Sequence, residues 1–297
     1  MENTARKLKI FLRQGDNVTQ KSYDGSPILY LIPTPIGNFE DITYRAINIL
    51  KEVEIVFAED TRVTGKLFQH FDIHKKLYSN YEYNEDKNIE KCLKYLEKGY
   101  NVGVVSDRGT PVISDPGYGL VKAAIEHGYN VVALPGPTAL IPALITSGIE
   151  PKPFTFYGFL NSKASKRKQE LEKLKNINHT IIFYESPHRV KKTLEEMLEV
   201  FGERKICISR EISKRYEEIY RGNITNVMQE LDNVKGELVI VVEGNKKEVE
   251  YSDDTIIDCV NKLVNNGLSI KEAMKIVAKE RGVSKSYIYS QYHKLDE

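Results

Sequence analysis

The segment NVGVVSDRGTPVISDPGYGLVKAAIEHG (101–128) combines an apolar run, a polar loop and a helical pattern. The apolar run over 101–106 predicts a buried strand. Pro116 and Gly128 are placed to begin and end the helix that follows the loop. Four apolar side chains recur at helical spacing between them: Leu120, Val121, Ala124 and Ile125. This order of strand, loop and helix predicts an α/β fold with a mainly parallel sheet.

The same alternation continues on both sides of this segment. Further apolar runs predict strands: ILYLI (28–32), EIVFA (54–58), NVVAL (130–134), TIIFY (180–184), KICIS (205–209) and ELVIVV (237–242). Asp41 is predicted to cap the helix after the first of them. The pattern changes at residues 150–158, which are rich in proline and aromatic residues. We therefore predict two α/β domains, over 27–148 and 149–247, preceded by a flexible arm over 1–26.

The remaining segment, 248–297, contains no strand-like run and predicts a small helical unit. Ser269 and Glu272 form a capping box, and Gly282 precedes Ser284 at a turn into another helix, so the segment resembles a helix-turn-helix. Basic side chains occur here and in KASKRKQELEKLK (163–175): in the helical unit they are Lys271, Lys275, Lys279, Arg281 and Lys285. Such runs are typical either of solvated helix faces or of RNA contacts.

The composition is that of a globular protein. The chain has 297 residues, 41% of them hydrophobic and 29% charged, without an apolar run of the roughly 20 residues that span a bilayer. The formal charge of +1 gives no general attraction for nucleic acid, so any RNA contact requires local basic patches. The three cysteines, Cys92, Cys207 and Cys259, are far apart and argue against disulfides or a zinc cluster. With no visible secretory signal, we expect a cytoplasmic enzyme without a metal.

Polar loops follow five of the predicted strands, where ligands bind in open α/β sheets. They are PTPIGN (33–38), AEDTR (58–62), VSDRGTPVISDPG (105–117), LPGPTAL (134–140) and IIFYESPHR (181–189). Each allows an ordinary structural role: a tight turn, a solvated charge cluster, or a helix cap by Thr138. Ser186, His188 and Asp115 could form a hydrolase triad, but no GxSxG elbow is present.

Taken in order, these motifs resemble the tetrapyrrole methylase superfamily, and in particular its branch that methylates small-subunit ribosomal RNA. The resemblance runs from about Ile28 to the C-terminus. Its most specific marks are PTPIGN, AEDTRVTGKLFQHF (58–71), SDRGTP, DPGYGLV (115–121), LPGP, GFL (158–160), FYESPHR and KGELVIVVEG (235–244). It implies a homodimer with S-adenosylmethionine as cofactor, which methylates the ribose 2′-oxygen of a cytidine in the decoding region of 16S-type RNA. The cofactor is expected in a cleft between the two α/β domains.

The resemblance also implies a set of cofactor-binding residues. By motif they are Ile36, Gly109, Thr110, Ile113, Thr138, Ala139 and Glu185. Arg108 departs from the family pattern, since related sequences usually have a small residue there. An outward orientation toward RNA is one alternative for this side chain.

A ribose hydroxyl must lose its proton when it attacks a methyl group, so a base is required. Asp60 and Glu59 are the candidate bases, while Arg62, His188 and Arg189 are candidates to hold phosphate or ribose. Two other functions remain as alternatives. One is a tetrapyrrole C-methyltransferase, and the other is a DNA-binding regulator, suggested by residues 269–292.

Overall fold

The computed structural model describes residues 19–81, 84–231, 234–246, 253–281 and 283–293. The chain divides into two compact units, Met1–Asn245 and Lys246–Glu297. The first unit contains two five-stranded sheets, and the second is helical. The predicted α/β fold class is confirmed. The predicted division of the first unit at residues 148 and 149 stays a prediction.

The first sheet is entirely parallel, with the strand order β3-β2-β4-β1-β5. Its strands are β1 (Ile28–Leu31), β2 (Ile55–Ala58), β3 (Lys76–Ser79), β4 (Val102–Val105) and β5 (Asn130–Ala133). Helices α1 (Tyr44–Glu52) and α2 (Thr61–His70) pack on one face, and α3 (Glu85–Glu97) and α4 (Tyr118–Glu126) pack on the other. The central strands are buried on both faces, which explains their continuous apolar sequences.

The second sheet has the order β6-β7-β10-β8-β9. Its strands are β6 (Phe154–Phe159), β7 (Thr180–Glu185), β8 (Lys205–Arg210), β9 (Glu218–Asn223) and β10 (Leu238–Val242). Helices α6 (Ala164–Leu174), α7 (Val190–Phe201) and α8 (Ile224–Glu230) cover one face. The other face packs against α5 (Leu140–Thr146), the helix that follows β5. Helix α5 therefore joins the two sheets into one unit.

The expectation of a mainly parallel arrangement is wrong for the second sheet. Only β6 and β7 pair in parallel, whereas β10 is antiparallel to β7 and β8, and β9 is antiparallel to β8. The chain from β8 to β9 turns back without a helix, so these two strands can pair antiparallel. Strands β3, β6 and β9, which the apolar runs did not predict, are all at sheet edges.

Three helix starts differ from the predictions. Thr43, not Asp41, caps α1, because its hydroxyl oxygen accepts a hydrogen bond from Ala46 N at 3.1 Å. Helix α4 begins at Tyr118, two residues after Pro116. Helix α5 has no side-chain cap. Its N-cap residue is Ala139 and not the predicted Thr138, whose hydroxyl is hydrogen-bonded to Tyr184 instead.

The helical unit contains α9 (Asp253–Asn265), α10 (Ile270–Arg281) and α11 (Lys285–His293), which share a small apolar core of their own. The predicted capping box is confirmed: Ser269 N donates to Glu272 Oε2 at 3.2 Å, and Glu272 N donates to Ser269 Oγ at 3.3 Å. Ser284 caps α11 through a hydrogen bond from Tyr287 N. Gly282, predicted to form the turn, lies outside the described residues.

The predicted arm over 1–26 is described only from residue 19 onward. Its last part is bound to edge strand β5, where Gln20 hydrogen-bonds both the N–H and the carbonyl of Val131. Asn130 donates to the carbonyl of Lys21. The described part of this segment is therefore hydrogen-bonded to the sheet edge, and the flexible arm stays a prediction. No helix within the described ranges is long and apolar enough to cross a membrane.

Candidate functional site

The connections of the first sheet create a crevice at its carboxyl edge. Strands β4 and β1 are neighbours, but the chain leaves β1 toward β2 and leaves β4 toward β5, in opposite directions. Loops that separate in this way open a ligand-binding crevice. Two backbone hydrogen bonds between Thr34 and Gly109, both 3.0 Å, hold the loops together at its base.

Gly109 occupies a position that requires glycine. Its φ is +78°, in the left-handed region, and a Cβ there would lie 3.2 Å from Ile36 Cγ2 and 3.4 Å from the carbonyl oxygen of Pro137. The hydroxyl of Thr110 donates to that same carbonyl at 3.1 Å. Loops 33–38, 105–117 and 134–140 therefore converge on one another.

A cavity of about 320 Å³ opens above these loops, a volume typical of small-molecule sites. All seven residues predicted to bind the cofactor line it: Ile36, Gly109, Thr110, Ile113, Thr138, Ala139 and Glu185. The sequence motifs thus identified one contiguous surface. Their role as cofactor ligands stays a prediction.

The second sheet supplies the opposite wall of the cavity. Phe159, Tyr184 and Ser186 come from the ends of β6 and β7, and Glu237 and Val239 come from the start of β10. Sequence reasoning missed most of this wall, because it found neither β6 nor the antiparallel placement of β10. The sequence did contain a signal for this wall, namely the aromatic residues Phe159 in GFL and Tyr184 in FYESPHR.

Arg108 lies at the junction of the two walls. Its guanidinium forms an ion pair with Glu237, which also binds Lys214 Nζ at 2.9 Å. Of the orientations left open for Arg108, the structure shows one directed to Glu237, with the side chain still 51% exposed. Glu237, in the motif KGELVIVVEG, balances the charge of Arg108, which explains how this loop accommodates a long basic side chain.

Glu185 and Arg189 form an internal network. Glu185 is 2% exposed and accepts hydrogen bonds from Ser186 N at 2.8 Å and from the Thr193 hydroxyl at 2.7 Å. Arg189 Nε lies 3.3 Å from a Glu185 oxygen, and its Nη2 donates to the Leu160 carbonyl at 2.8 Å. The Arg189 guanidinium thus positions the loop after β7, and its predicted role in holding substrate stays a prediction.

Asp60 is similarly occupied. It caps α2 through a 2.8 Å hydrogen bond from Arg62 N, and the Arg62 guanidinium contacts both of its carboxylate oxygens, at 2.6 to 3.1 Å. These hydrogen bonds lower the pKa of Asp60 to about 2. A carboxylate so stabilised is a weak proton acceptor, which argues against Asp60 as the general base. Arg62 is 87% exposed and can still contact a phosphate.

Glu59, by contrast, belongs to a cluster of carboxylates. Burial is the main cause that raises its pKa, and the charges of Asp115 and Asp107 raise it further. Burial also raises the pKa of Asp107 and of Asp115. Glu59 Oε2 lies 3.5 Å from Asp107 N, and Asp115 lines the cavity. This cluster can take up a proton more readily than Asp60 can.

Three further predictions concern His188, the basic stretch 163–175 and the hydrolase triad. His188 is exposed at the end of β7 and does not line the cavity. In the stretch 163–175, Arg167 is buried against Glu196, and Lys168 pairs with Glu199, so this helix offers fewer free charges than its sequence indicates. In the described part of the chain no hydrogen bond links Ser186 to His188, so the hydrolase triad is not assembled.

Comparison with protein families gives a match to the model described as Tetrapyrrole (Corrin/Porphyrin) Methylases over residues 28–228. Two relatives in sequence carry the name Ribosomal RNA small subunit methyltransferase I. The one from Bacillus subtilis (strain 168) is 46% identical over 285 residues, which is 92% of this chain and 98% of the relative. The one from Vibrio cholerae is 40% identical and covers 90% and 94%.

Solved structures with the same fold are more distant in sequence. A cobalt precorrin-4 methyltransferase superposes with a TM-score of 0.56 at 16% identity, covering 76% of this chain and 98% of that one. A uroporphyrin-III C-methyl transferase from Thermus thermophilus, complexed with S-adenyl homocysteine, gives a TM-score of 0.53 at 17% identity and covers 72% and 96%. At these identities the likeness concerns the fold alone.

Proposed function

The chain belongs to the tetrapyrrole methylase family, within the group of ribosomal RNA small subunit methyltransferase I, and from this we propose that it transfers a methyl group from S-adenosylmethionine to a ribose 2′-hydroxyl of 16S ribosomal RNA. The proposed acceptor is a cytidine in the decoding region. We further propose that the enzyme is cytoplasmic and acts as a homodimer. Exposed apolar side chains such as Tyr44, Tyr118 and Ile145 are candidates for the dimer interface.

The observation that carries this proposal is the cavity of about 320 Å³ on which loops 33–38, 105–117 and 134–140 converge. Its chemistry suits S-adenosylmethionine, which combines a flat aromatic base with a cationic sulfonium and an amino-acid end that carries an ammonium and a carboxylate. Ile36 and Ile113 supply apolar surface and Asp115 supplies a carboxylate, whereas Glu185 and Glu237 are already paired with basic side chains of the protein. Burial raises the pKa of Asp115 because it destabilises the charged carboxylate. A cation bound beside Asp115 would stabilise that charged form.

The sulfonium supplies an activated methyl group, so the protein has to orient the acceptor, exclude water and accept a proton. The two walls of the cavity restrict solvent, and orientation alone can contribute about 7–11 kcal/mol to lowering the barrier. Glu59 is the proposed proton acceptor because it is partly buried, hydrogen-bonds the loop that lines the cavity and titrates above its ordinary range. Arg62 is the proposed contact for a flanking phosphate.

The proposal is tested by following a labelled methyl group. Purified protein is mixed with methyl-labelled S-adenosylmethionine and with 16S RNA, small ribosomal subunits or a tetrapyrrole. We expect label in the RNA or the subunit, at one cytidine whose ribose then resists alkaline cleavage. Label in the tetrapyrrole would support the C-methyltransferase alternative, and label in none of them would contradict the proposal.

The helical unit is the proposed docking element for RNA or the small subunit. Lys271, Lys275 and Lys279 are exposed and lie four residues apart, so they form one stripe along α10. None of the three makes an ion pair with another described residue. Exposed Tyr287 and Tyr289 on α11 add aromatic surface on which bases could stack.

Replacing Lys271, Lys275 and Lys279 together by Gln is expected to weaken RNA binding and reduce its salt dependence. Each phosphate contact contributes about 0.7 to 0.9 to the slope of log affinity against log salt concentration, so the slope should fall by roughly 2 to 3. Affinity for S-adenosylmethionine should be unchanged. The measurement is RNA binding across a series of salt concentrations.

A matched control replaces Lys87, Lys94 and Lys98 by Gln, which removes the same charge from exposed positions on and just after α3. The docking proposal requires this control to retain most of the salt slope. Equal slopes in the two triple variants, or an unchanged slope after truncation at Asn245, would show that α10 is not the docking surface.

A further inference from the structure

A second concavity, which we call the rim groove, lies beside the large cavity. It is lined by the turn after β1, by α2 and by Ser106–Arg108, and its volume is about 160 Å³. Arg108 lines both the groove and the large cavity, so the two are neighbours. The carboxylate of Glu59 accepts from Asp107 N, in the loop segment that borders the groove.

The size of the rim groove suits a single six-membered ring. A cavity of about 150 Å³ in a protein interior holds one benzene molecule. A pyrimidine base therefore matches the 160 Å³ of the groove, whereas a two-ring purine would extend beyond it. The groove is too small for a tetrapyrrole macrocycle.

Thr64 gives the groove an unsatisfied polar group. This residue is 2% exposed, and its hydroxyl has no hydrogen-bond partner in the part of the chain that the structure describes. Buried hydroxyl groups are nearly always hydrogen-bonded, and leaving one unpaired costs about 1–3 kcal/mol. The hydroxyl oxygen itself is enclosed in the described conformation, but a threonine in a helix can adopt either of two χ1 rotamers, and the other rotamer would turn the hydroxyl toward a ligand with a polar edge in the groove.

Asp107 adds an acceptor and Phe39 adds a stacking surface. One carboxylate oxygen of Asp107 accepts from Asp60 N at 2.9 Å, and no hydrogen bond to its other oxygen is formed by a described residue. Aspartate is a typical acceptor for the exocyclic amine of cytosine. Phe39 stacks one ring face on His70, with centroids 4.4 Å apart, yet remains 41% exposed. Bases stack on such exposed aromatic rings.

We propose that the rim groove is the subsite for the extruded base of the acceptor nucleotide, with Asp107 accepting the cytosine amine and Thr64 hydrogen-bonding the base edge. This inference rests on the proposed function and adds the residues that select the base. Reading the edge of a cytosine inside a protein groove requires that the base leave the RNA stack. Because Arg108 lines both the groove and the large cavity, a base in the groove would have its ribose beside that cavity.

The test compares acceptors that carry cytidine or uridine at the methylated position, mapped first with the wild-type protein. For each, kcat/KM for methyl transfer is measured with wild type, Asp107→Asn, Thr64→Val and Thr64→Ser. Asn retains an oxygen for Asp60 N but presents an amide donor to the base. We expect Asp107→Asn to reduce the preference for cytidine over uridine by roughly 10- to 100-fold.

Thr64→Val removes the hydroxyl at nearly constant volume and should lower kcat/KM by about 3- to 10-fold, while Thr64→Ser should restore most of it. Affinity for S-adenosylmethionine should be the same in all four proteins. An unchanged base preference in Asp107→Asn, or equal losses in Thr64→Val and Thr64→Ser, would overturn the subsite while leaving RNA methylation by wild type intact. If wild type methylates neither RNA, both the inference and the proposed function fail.

Discussion

Replacing Glu59 by Gln is expected to slow methyl transfer by about 10²- to 10⁴-fold, the usual contribution of a positioned general base. Gln keeps the size of the side chain and an oxygen that can accept from Asp107 N, so the loop should keep its conformation. Affinity for S-adenosylmethionine should change little. Single-turnover rates and calorimetric binding constants, measured side by side, separate the two effects.

The adjacent variant Asp60→Asn is the matched control. Asn caps helices about as well as Asp, and the pKa of Asp60, about 2, makes it a poor base, so we expect a loss of less than about tenfold. The opposite ranking, with Asp60→Asn the slower enzyme, would return the role of base to Asp60. Equal rates in Glu59→Gln and wild type would exclude Glu59.

The pH dependence gives an independent readout of the same assignment. Burial raises the pKa of Glu59 above its ordinary value of 4.5, and a base must be deprotonated to act. The rate of the chemical step should therefore fall as pH drops through this raised pKa. An Asp60 base would keep its activity down to a much lower pH, because its own pKa is lowered.

The strands that could be predicted from the sequence are those whose side chains are buried on both faces. Val102–Val105 and Leu238–Val242 are fully buried and read as unbroken apolar runs. Edge strands β3, β6 and β9 are largely half-buried or exposed, so their sequences carry a mixture of polar and aromatic residues. Their place in the sheets depends on pairing with a distant strand, which no local pattern records.

The candidate site likewise has one part that the sequence could predict and another that it could not. Gly109 and the loops around it could be located because a parallel sheet brings the ends of its strands to one edge. The roles of the charged residues could not be predicted from the sequence, since each role depends on which opposite charge lies nearby in three dimensions. Arg62 pairs with Asp60, and Arg108 pairs with Glu237, 129 residues away along the chain. Sequence motifs name the charged side chains but not their partners.

Arg167 illustrates this limit and leads to a prediction about stability. It belongs to a basic stretch that the sequence offers as an RNA contact, yet its side chain is 3% exposed. Its guanidinium binds both oxygens of Glu196, at 2.5 and 2.7 Å, and donates to the carbonyls of Asn161 and Ser162 at 3.2 and 3.0 Å. The residue therefore anchors α6 to α7 and to the loop before α6.

Arg167→Ala is expected to lower the free energy of unfolding by about 3–5 kcal/mol, because it leaves the Glu196 carboxylate, whose side chain is only 13% exposed, without its counter-charge. The neighbouring variant Lys168→Ala breaks an exposed pair with Glu199 and should cost less than about 1 kcal/mol. Urea unfolding of both variants measures the difference. Replacing Arg167 and Glu196 together by Met and Leu should recover much of the loss, since no buried charge then remains unpaired. If Arg167→Ala were as stable as wild type and bound RNA more weakly, its side chain would be a nucleic-acid contact and not a structural anchor.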